Sequence, residues 1–324
     1  MNIFALIITN AISIGTVFLF GCLGEILMEK SGHLNLGIPG VMCFGTLGGC
    51  VGVSILMSNY ASNPSSAPWF LLIVMALLFS ALFSAIAGLI YAFLTISLRA
   101  NQNVTGLALA TFGGGIADFF MTQVDKTYFS YASRIISSHL AIADEWGEFG
   151  SIVFGHGILV YLAIAIAIIV AVVLKRTKVG LSLRSIGENP GSADAAGINI
   201  GLYKYSAILI GSVIAGFGGL FYVMEYVGGS YENSSTIQAF GWLSLALVIF
   251  SVWKPSIAII GSFIFGALFI LPNFVSGISF LQMKILNLIP YVATVVVLIV
   301  TSIVGRKSVQ PPEALGLPYF REER

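Results

Sequence analysis

The fold is decided by residues 31–98, which read SGHLNLGIPGVMCFGTLGGCVGVSILMSNYASNPSSAPWFLLIVMALLFSALFSAIAGLIYAFLTISL. This stretch contains no Asp, Glu, Lys or Arg. A helix that crosses a hydrocarbon core about 30 Å thick needs about 20 predominantly apolar residues, so the stretch has room for about three spans. It predicts several membrane-crossing helices in one segment of the chain.

The rest of the chain has the same character. Of its 324 residues 57% are hydrophobic and 9% are charged, whereas soluble domains carry about 25% charged residues. Further charge-free windows occur at 149–174, 205–224, 233–253, 255–283 and 285–305. The ~10-residue alternating segments of a membrane β-barrel are absent. We therefore expect an all-α, polytopic transmembrane bundle.

The windows predict about nine spans, with a range of eight to ten. They lie at 3–27, 34–57, 68–98, 103–122, 155–174, 203–227, 238–252, 256–275 and 286–304. The shortest, 238–252, is expected to continue into the preceding loop, to be tilted or to be partly re-entrant. Residues 1–307 form the predicted membrane domain, and residues 308–324 a cytoplasmic tail.

The distribution of Lys and Arg predicts the orientation, because cytoplasmic loops carry an excess of these residues. With the N-terminus outside, the inner side holds Lys30, Arg99, Lys175, Arg176, Lys178, Arg184, Lys204, Lys254, Arg306, Lys307, Arg321 and Arg324. The outer side keeps only Lys126, Arg134 and Lys284. This bias requires an odd number of spans, with the C-terminus in the cytoplasm.

No catalytic or metal-binding pattern is present. The three cysteines lie in apolar stretches without a CxxC pair, and the three histidines are scattered. The sequence also lacks the GxxxxGK[ST] loop that holds ATP phosphates, as well as HExxH and GxSxG. We expect no catalytic residue, no metal and no cofactor bound by this chain. If transport is driven by ATP, the ATPase is a separate chain.

The longest inner connection, about 175–204, contains a short capped helix. Asn189 and Pro190 suit the start of a helix over Ser192–Ala196, and Gly197 suits its end. One interpretation is an ordinary surface helix. The other is an element that transmits force from a soluble partner.

Two polar segments lie at the inner membrane edge, SGHLNLGIPG at 31–40 and RANQNVTG at 99–106. Freed backbone groups at this depth must be met by protein or by a water-lined cavity, so such segments often lie beside a transport path. The candidate path residues are Asn35, Gly37, Pro39, Asn101, Gln102, Asn103 and Thr105. Helix capping and backbone satisfaction are the alternative roles.

Small residues four positions apart predict close helix packing, in a tight bundle or at a dimer seam. They are Gly45 with Gly49, and Gly211 with Ala215 and Gly219. The intramembrane acids Glu25, Asp118 and Glu225 are functional candidates because burying a charge is expensive. All three lie near predicted span ends, where we expect their carboxylates to reach water.

Three segments together resemble the signature segments of bacterial ABC-importer permeases of the simple-sugar and nucleoside branch, distantly similar to ribose and branched-chain amino-acid permeases. They are SGHLNLGIPG at 31–40, LRANQNVTGLA at 98–108 and GENPGSADAAGIN at 187–199. The resemblance implies a permease in the bacterial plasma membrane that pairs with a second, identical or paralogous permease. It also implies cytoplasmic ATPase subunits that bind ATP and Mg, an extracellular substrate-binding lipoprotein, and no nucleic-acid partner.

The segment from Ala193 to Gly197 is similar to the coupling helix of these permeases. The resemblance implies an ATPase-coupling role for Arg184, Glu188, Asn189, Pro190, Ala193, Asp194, Ala195, Ala196 and Gly197. It favours the outer segment 123–154 as a docking face for the binding protein. Nucleosides are the first expected solute and sugars such as ribose or galactose the second. A stand-alone carrier or channel is the alternative class.

Overall fold

The computed structural model describes residues 2–139, 142–275, 277, 279–304 and 310–320. This part of the chain is helical and contains no β-strand, which confirms the all-α prediction. The helices are α1 (Ile3–Glu29), α2 (Ile38–Ser58), α3 (Trp69–Ala92), α4 (Gln102–Met121), α5 (Phe129–Ile136), α6 (Ile142–Glu145), α7 (Gly147–Phe154), α8 (Ile158–Arg176), α9 (Lys178–Glu188), α10 (Pro190–Ala195), α11 (Ile200–Phe221), α12 (Ser235–Phe250), α13 (Pro255–Ile270), α14 (Phe280–Leu286) and α15 (Ile289–Val304). Helices α3 and α11 each continue into a π-helical turn, at Phe93–Ser97 and Tyr222–Tyr226.

Among the described residues, eight helical segments are long and apolar enough to cross a membrane. They are Ile3–Glu29, Ile38–Ser58, Trp69–Ser97, Gln102–Met121, Ile158–Arg176, Ile200–Tyr226, Pro255–Phe274 and Phe280–Val300. The ninth predicted span, 238–252, corresponds to α12, which has 16 residues. At a rise of 1.5 Å per residue α12 is about 24 Å long, shorter than the hydrocarbon core.

Contacts at the helix ends define two faces of the bundle. On the N-terminal face, which carries Asn2 and α5 to α7, the Asn2 N–H donates to Glu148 Oε1 over 2.6 Å. On the tail face, which carries the turn 30–34, α9, α10 and residues 310–320, the Gly316 N–H donates to the Gly32 carbonyl over 3.1 Å. Residues 2 and 310–320 therefore lie on opposite faces of the bundle.

Helix α12 crosses the bundle despite its length. Its start is bound to Asp118 near the N-terminal end of the bundle, where the Ser234 N–H donates to Asp118 Oδ1 over 2.7 Å. Its other end leads to Trp253, whose indole N–H donates to Glu29 at the tail face. The short helix thus connects the two faces inside the protein.

Tight packing between helices depends on small residues. Helix α2 packs on α11 where Gly45 faces Gly216, and a Cβ at Gly45 would overlap the Gly216 backbone. Helix α11 packs on α1 where a Cβ at Gly211 would lie 2.5 Å from the Gly24 carbonyl oxygen. The predicted small residues lie on these seams between helices of one chain: Gly45, Gly49, Gly211, Ala215 and Gly219.

The structure adds two details to the predicted inner connection of about 175–204. Helix α11 begins at Ile200, where the Asn199 side chain accepts the Leu202 N–H over 3.0 Å, so Lys204 lies in this helix. The connection also contains α9, an 11-residue helix capped by Thr177. Of the predicted tail 308–324, residues 308, 309 and 321–324 lie outside the described residues.

Candidate functional site

The tail face carries the short helix that the sequence predicts. Helix α10 begins at Pro190, and the Asn189 side chain accepts the Ser192 N–H over 2.9 Å. It ends at Ala195, and Gly197 follows with a φ of +80°, a left-handed conformation that glycine adopts without strain. The Ile198 N–H then returns to the Ala193 carbonyl over 3.1 Å. These bonds hold α10 rigid between two caps.

The predicted coupling residues divide into buried and exposed ones. Ala193 is buried against Ile186 and Ile200 and fixes α10 to the bundle. Pro190 and Asp194 are half-buried. The remaining predicted residues are exposed on the tail face: Arg184, Glu188, Asn189, Ala195, Ala196 and Gly197. A Cβ at Gly197 would meet no atom of the described residues within 4 Å, so this position is open to a partner.

The C-terminal tail holds this helix pair from behind. The Ala314 N–H donates to the Gly187 carbonyl over 2.9 Å, at the end of α9. The Tyr319 hydroxyl donates to Asp194 Oδ2 over 2.9 Å, and its ring packs on the cluster of Ile186 and Ala193. The tail therefore connects α9 to α10, a role that the sequence did not indicate.

The turn between α1 and α2 is closed by polar side chains. Asn35 is fully buried, its N–H donates to Glu25 Oε1 over 2.8 Å, and its side-chain oxygen accepts the Gly37 N–H over 2.9 Å. Gln102 is also buried and accepts the Leu34 N–H over 2.9 Å. The side chains of Asn35 and Gln102 thus bind backbone N–H groups, which is one of the alternative roles that the sequence left open.

The other candidate path residues lie around α4. Asn101 caps this helix by accepting the Val104 N–H over 3.1 Å. Asn103 is exposed and Thr105 half-buried on the outer face of α4. Pro39, at the start of α2, packs against α12, since a Cβ at Gly241 would lie 2.5 Å from Pro39 Cα.

The intramembrane carboxylates position helix ends. Asp118 accepts hydrogen bonds of 2.7 Å from Tyr231 Oη, Ser234 N and Ser234 Oγ. Glu225 accepts the Gly157 N–H over 3.0 Å at the start of α8. The prediction that these groups reach water is wrong for Glu25, which is 0% exposed because the turn carrying Asn35 folds over it.

A polar cavity of about 150 Å³ lies at the N-terminal face beside the start of α12. Its lining includes Tyr222, Tyr231, Glu232, Asn233 and Thr236. The Tyr222 ring stacks on Tyr226 with centroids 5.9 Å apart. No sequence pattern indicated these residues, although Gly228 and Gly229 mark a turn among clustered aromatic and polar residues.

The charges of the tail face are perturbed by burial. Burial lowers the pKa of Lys30, and the carboxylates of Glu188 and Glu29 oppose this effect. Burial and the nearby Lys204 ammonium hold the pKa of His33 well below its usual value of 6.5. His33 is therefore neutral at physiological pH, and it lies in a region dominated by cations.

Residues 7–305 match the profile of a protein family that is described as "branched-chain amino acid transport system / permease component". The chain belongs to this permease family. A permease of this family is a transport subunit, and the eight long apolar helices in the described part of this chain place it in the plasma membrane as a multi-pass protein. The ABC-permease resemblance inferred from the three sequence segments is confirmed.

Several relatives are similar over most of the permease. A nucleoside ABC transporter permease from Lactococcus lactis is 30% identical over 100% of this chain and 99% of the relative. A guanosine ABC transporter permease from Bacillus subtilis is 29% identical over the same shares. A protein provisionally named a glucose ABC transporter permease, from Haloferax volcanii, is 30% identical over 83% of this chain and 77% of the relative. No solved structure matches the chain.

Proposed function

We propose that this permease forms half of an ATP-driven import path for nucleosides. The observation that carries the proposal is its similarity, over the whole length of both chains, to permeases named for nucleosides and for guanosine. The tyrosine-lined cavity at the N-terminal face supports it. Stacking of a base on an aromatic side chain contributes about 1–3 kcal/mol, and amide and carboxylate groups such as those of Asn233 and Glu232 bond base edges and ribose hydroxyls.

The proposal includes an orientation with the tail face in the cytoplasm. Among the described residues the tail face carries Lys30, Arg99, Lys175, Arg176, Lys178, Arg184, Lys204 and Lys254. The N-terminal face carries Lys126, Arg134 and Lys284. The positive-inside rule assigns the face richer in Lys and Arg to the cytoplasm. The described tail, residues 310–320, is then cytoplasmic and Asn2 extracellular.

In this orientation α9 and α10 face a cytoplasmic ATPase. The exposed end of α10 at Ala195, Ala196 and Gly197 would enter a groove of that partner, and Arg184 and Glu188 would flank it. The rigid caps of α10 favour this role, because a helix that transmits force must not deform. ATP and Mg belong to the partner in this proposal, and the permease itself catalyses no reaction.

The solute path follows the face shared by α4 and α12. This face exposes Asn103 and Thr111 on α4 and Thr236 on α12, while the Gln238 side chain donates to the Ala110 carbonyl over 3.1 Å. Polar groups on an open helix face are unfavourable against lipid, so a second permease, identical or paralogous, would cover this face. The path would be supported by the turn before α2 and by the packing of α2 on α12, which involve Asn35, Gly37, Pro39 and Gln102.

The extracellular surface would receive a substrate-binding lipoprotein. Helix α7 and the residues before it expose the stacked rings of Trp146 and Phe149, whose centroids are 6.2 Å apart. Glu145 and Glu148 are exposed beside them. Aromatic residues surrounded by charges are typical of the centre and rim of a protein interface.

Simple sugars are the second candidate solute, because the relative from Haloferax volcanii carries a glucose name. The two solutes differ in what Tyr222 can do for them. A base stacks on its ring, whereas a hexose of the size of glucose depends mainly on hydroxyl contacts. Replacement of Tyr222 by Leu is therefore expected to weaken nucleoside uptake about 5- to 150-fold, the equivalent of 1–3 kcal/mol of stacking.

The test is uptake of labelled guanosine, uridine and glucose into proteoliposomes that contain the permease and its co-purifying ATPase. We expect nucleoside uptake that requires ATP, that falls in Tyr222→Leu and that persists in Tyr222→Phe. Asp194→Arg should abolish co-purification of the ATPase, and Asp125→Arg at the other face should not. Uptake driven by an ion gradient without an ATPase would contradict the importer, and uptake of glucose alone would contradict the nucleoside assignment.

A further inference from the structure

A second cavity, of about 460 Å³, opens at the tail face between the ends of α3, α10 and α11 and the C-terminal tail. Its lining includes His33, Thr95, Arg99, Asp194, Lys204 and Tyr319. It is three times as large as the cavity at the N-terminal face and lies at the opposite end of the bundle. Two full cations line it, whereas the acidic member of the lining, Asp194, already accepts the Tyr319 hydroxyl over 2.9 Å.

Lys204 makes no ion pair with Asp194, the carboxylate that lines the same cavity. The residue is 4% exposed, and within the described part of the chain its ammonium makes no hydrogen bond and no ion pair. Removing a charge from water without a partner costs several kcal/mol, so a buried ammonium is normally paired. An unpaired lysine that lines a cavity therefore indicates an anionic ligand.

His33 gives an independent indication. Its side chain is 2% exposed, and neither ring nitrogen has a hydrogen-bond partner in the described structure. A buried polar group without a partner costs about 1–3 kcal/mol. Because His33 lines the same cavity as Lys204, a ligand with several acceptor oxygens would satisfy both side chains at once.

Two further features add positive potential to the cavity. Helix α11, which has 22 residues, begins there, with Ile200 and Gly201 in the lining. The N-terminus of a helix carries a partial positive charge and favours anions. Arg99 lies at the rim with φ of +56°, and its guanidinium stands 4.7 Å from the centroid of the Phe320 ring. A left-handed arginine is a costly conformation that is often found at binding sites.

We propose that this cavity binds a phosphate group through Lys204, Arg99, His33 and the start of α11. Phosphate suits the site because its several oxygens accept bonds from ammonium, guanidinium, imidazole and helix N–H groups together. The cavity lies at the edge of the membrane span, beside the last turn of α3. Either the headgroup of an anionic phospholipid or a free phosphate compound reaches it there, and both present the same chemistry. The ligand would hold the C-terminal tail, α10 and α11 together at the tail face.

The experiment uses the full-length permease in nanodiscs of neutral phosphatidylcholine. Thermal unfolding is followed by tryptophan fluorescence while inorganic phosphate or glycerol 3-phosphate is added, with sodium chloride at matched ionic strength as the reference. A parallel series replaces part of the lipid by phosphatidylglycerol. Stabilisation by the soluble phosphates identifies a free ligand, and stabilisation by phosphatidylglycerol alone identifies a lipid headgroup.

The variants Lys204→Gln and Arg99→Gln should each raise the half-saturating ligand concentration about tenfold or more, as expected for loss of a charge-assisted bond. Lys204→Gln should also unfold at a higher temperature than the wild type without ligand, because an unpaired buried charge is removed. Lys178→Gln, an exposed lysine on the same face, is the matched control and should respond as the wild type. Arg99, which is exposed, provides the test if Lys204→Gln does not fold.

Two results would overturn the proposal. One is that neither soluble phosphate nor phosphatidylglycerol changes the unfolding temperature beyond the chloride reference. The other is that Lys178→Gln loses as much stabilisation as Lys204→Gln, since that result would show a general surface-charge effect. Because the readout is thermal stability, both results are independent of which solute the permease transports.

Discussion

The anchoring of α12 by Asp118 leads to a quantitative prediction. Three donor groups bind this carboxylate at 2.7 Å, two from Ser234 and one from Tyr231. They fix the first turn of α12 and one wall of the polar cavity at the N-terminal face. Replacement of Asp118 by Leu removes all three acceptor contacts while it keeps a side chain of similar size. The start of α12 is then expected to open more often, without loss of the remaining bundle.

The magnitude follows from the number of bonds. Hydrogen bonds to charged groups are worth about 1.5–3 kcal/mol in soluble proteins, but bonds inside membranes average about 0.6 kcal/mol with a maximum of about 1.7. About 1 kcal/mol for each of three bonds gives a loss of about 3 kcal/mol. This corresponds to roughly a 150-fold increase in local opening. Asp118→Asn keeps one neutral acceptor oxygen in place of two charged ones and should lose about half of that free energy.

Amide hydrogen exchange of residues 228–240, measured by mass spectrometry in nanodiscs, reports this opening. We expect exchange to accelerate in the order wild type, Asp118→Asn, Asp118→Leu. Asp125→Asn is the control, because Asp125 is exposed on the same face and, among the described residues, bonds only Thr127. Equal exchange in wild type and Asp118→Leu would show that Asp118 does not hold the start of α12, and so would an equal acceleration in the Asp125 variant.

Three further perturbations test other parts of the structure. Gly45→Leu should reduce the yield of folded protein sharply, because the leucine side chain would overlap the α11 backbone. Gly115→Leu is the control and should change the yield little, since no described atom lies within 4 Å of a Cβ there. Gel filtration in detergent compares the two yields. Tyr319→Phe removes the partly buried hydrogen bond to Asp194, a loss of about 1 kcal/mol, so amide hydrogen exchange of residues 310–320 should become roughly fivefold faster. An unchanged exchange rate would show that the tail does not depend on this bond. His33→Gln tests pH dependence: the pKa of His33 is depressed in the folded state, so the unfolded chain binds the proton first, and the free energy of unfolding falls by up to about 1.4 kcal/mol per pH unit below about 6.5. The variant should lose this slope in denaturant titrations between pH 5.5 and 7.5, and retention of the full slope would assign it to another group.

Features that depend on neighbouring residues could be predicted from the sequence. Charge-free windows gave the positions of the long helices, because the need to bury twenty apolar residues in lipid is local to each segment. Asn189 and Gly197 predicted the two ends of α10, and both caps are present. The Asn101 cap follows from the same chemistry. In each case the partner lies within a few residues of the group that it binds.

Features that depend on distant residues could not be predicted. Glu25 seemed close enough to a span end to reach water, but the following turn folds back and Asn35 covers it. Trp253 bonds Glu29 across 224 positions, and Tyr319 bonds Asp194 across 125. One sequence gives no information on which distant segments meet. The cavity at the tail face and the polar cavity at the N-terminal face were missed for this reason, since each is lined by several separate segments of the chain.

The contacts at the tail face join the proposed coupling helices to α12. The end of α9 packs against the loop after α1, where a Cβ at Gly187 would lie 2.5 Å from the Lys30 carbonyl oxygen. The preceding residue, Glu29, accepts the indole N–H of Trp253, directly after α12. Val252 and Trp253 both have φ of +54°, a conformation that costs a β-branched residue dearly and persists only when its surroundings hold it. Because these contacts connect α9 to the turn at Val252 and Trp253, we expect a displacement of α9 to move this turn and, with it, the helix that lines the proposed path.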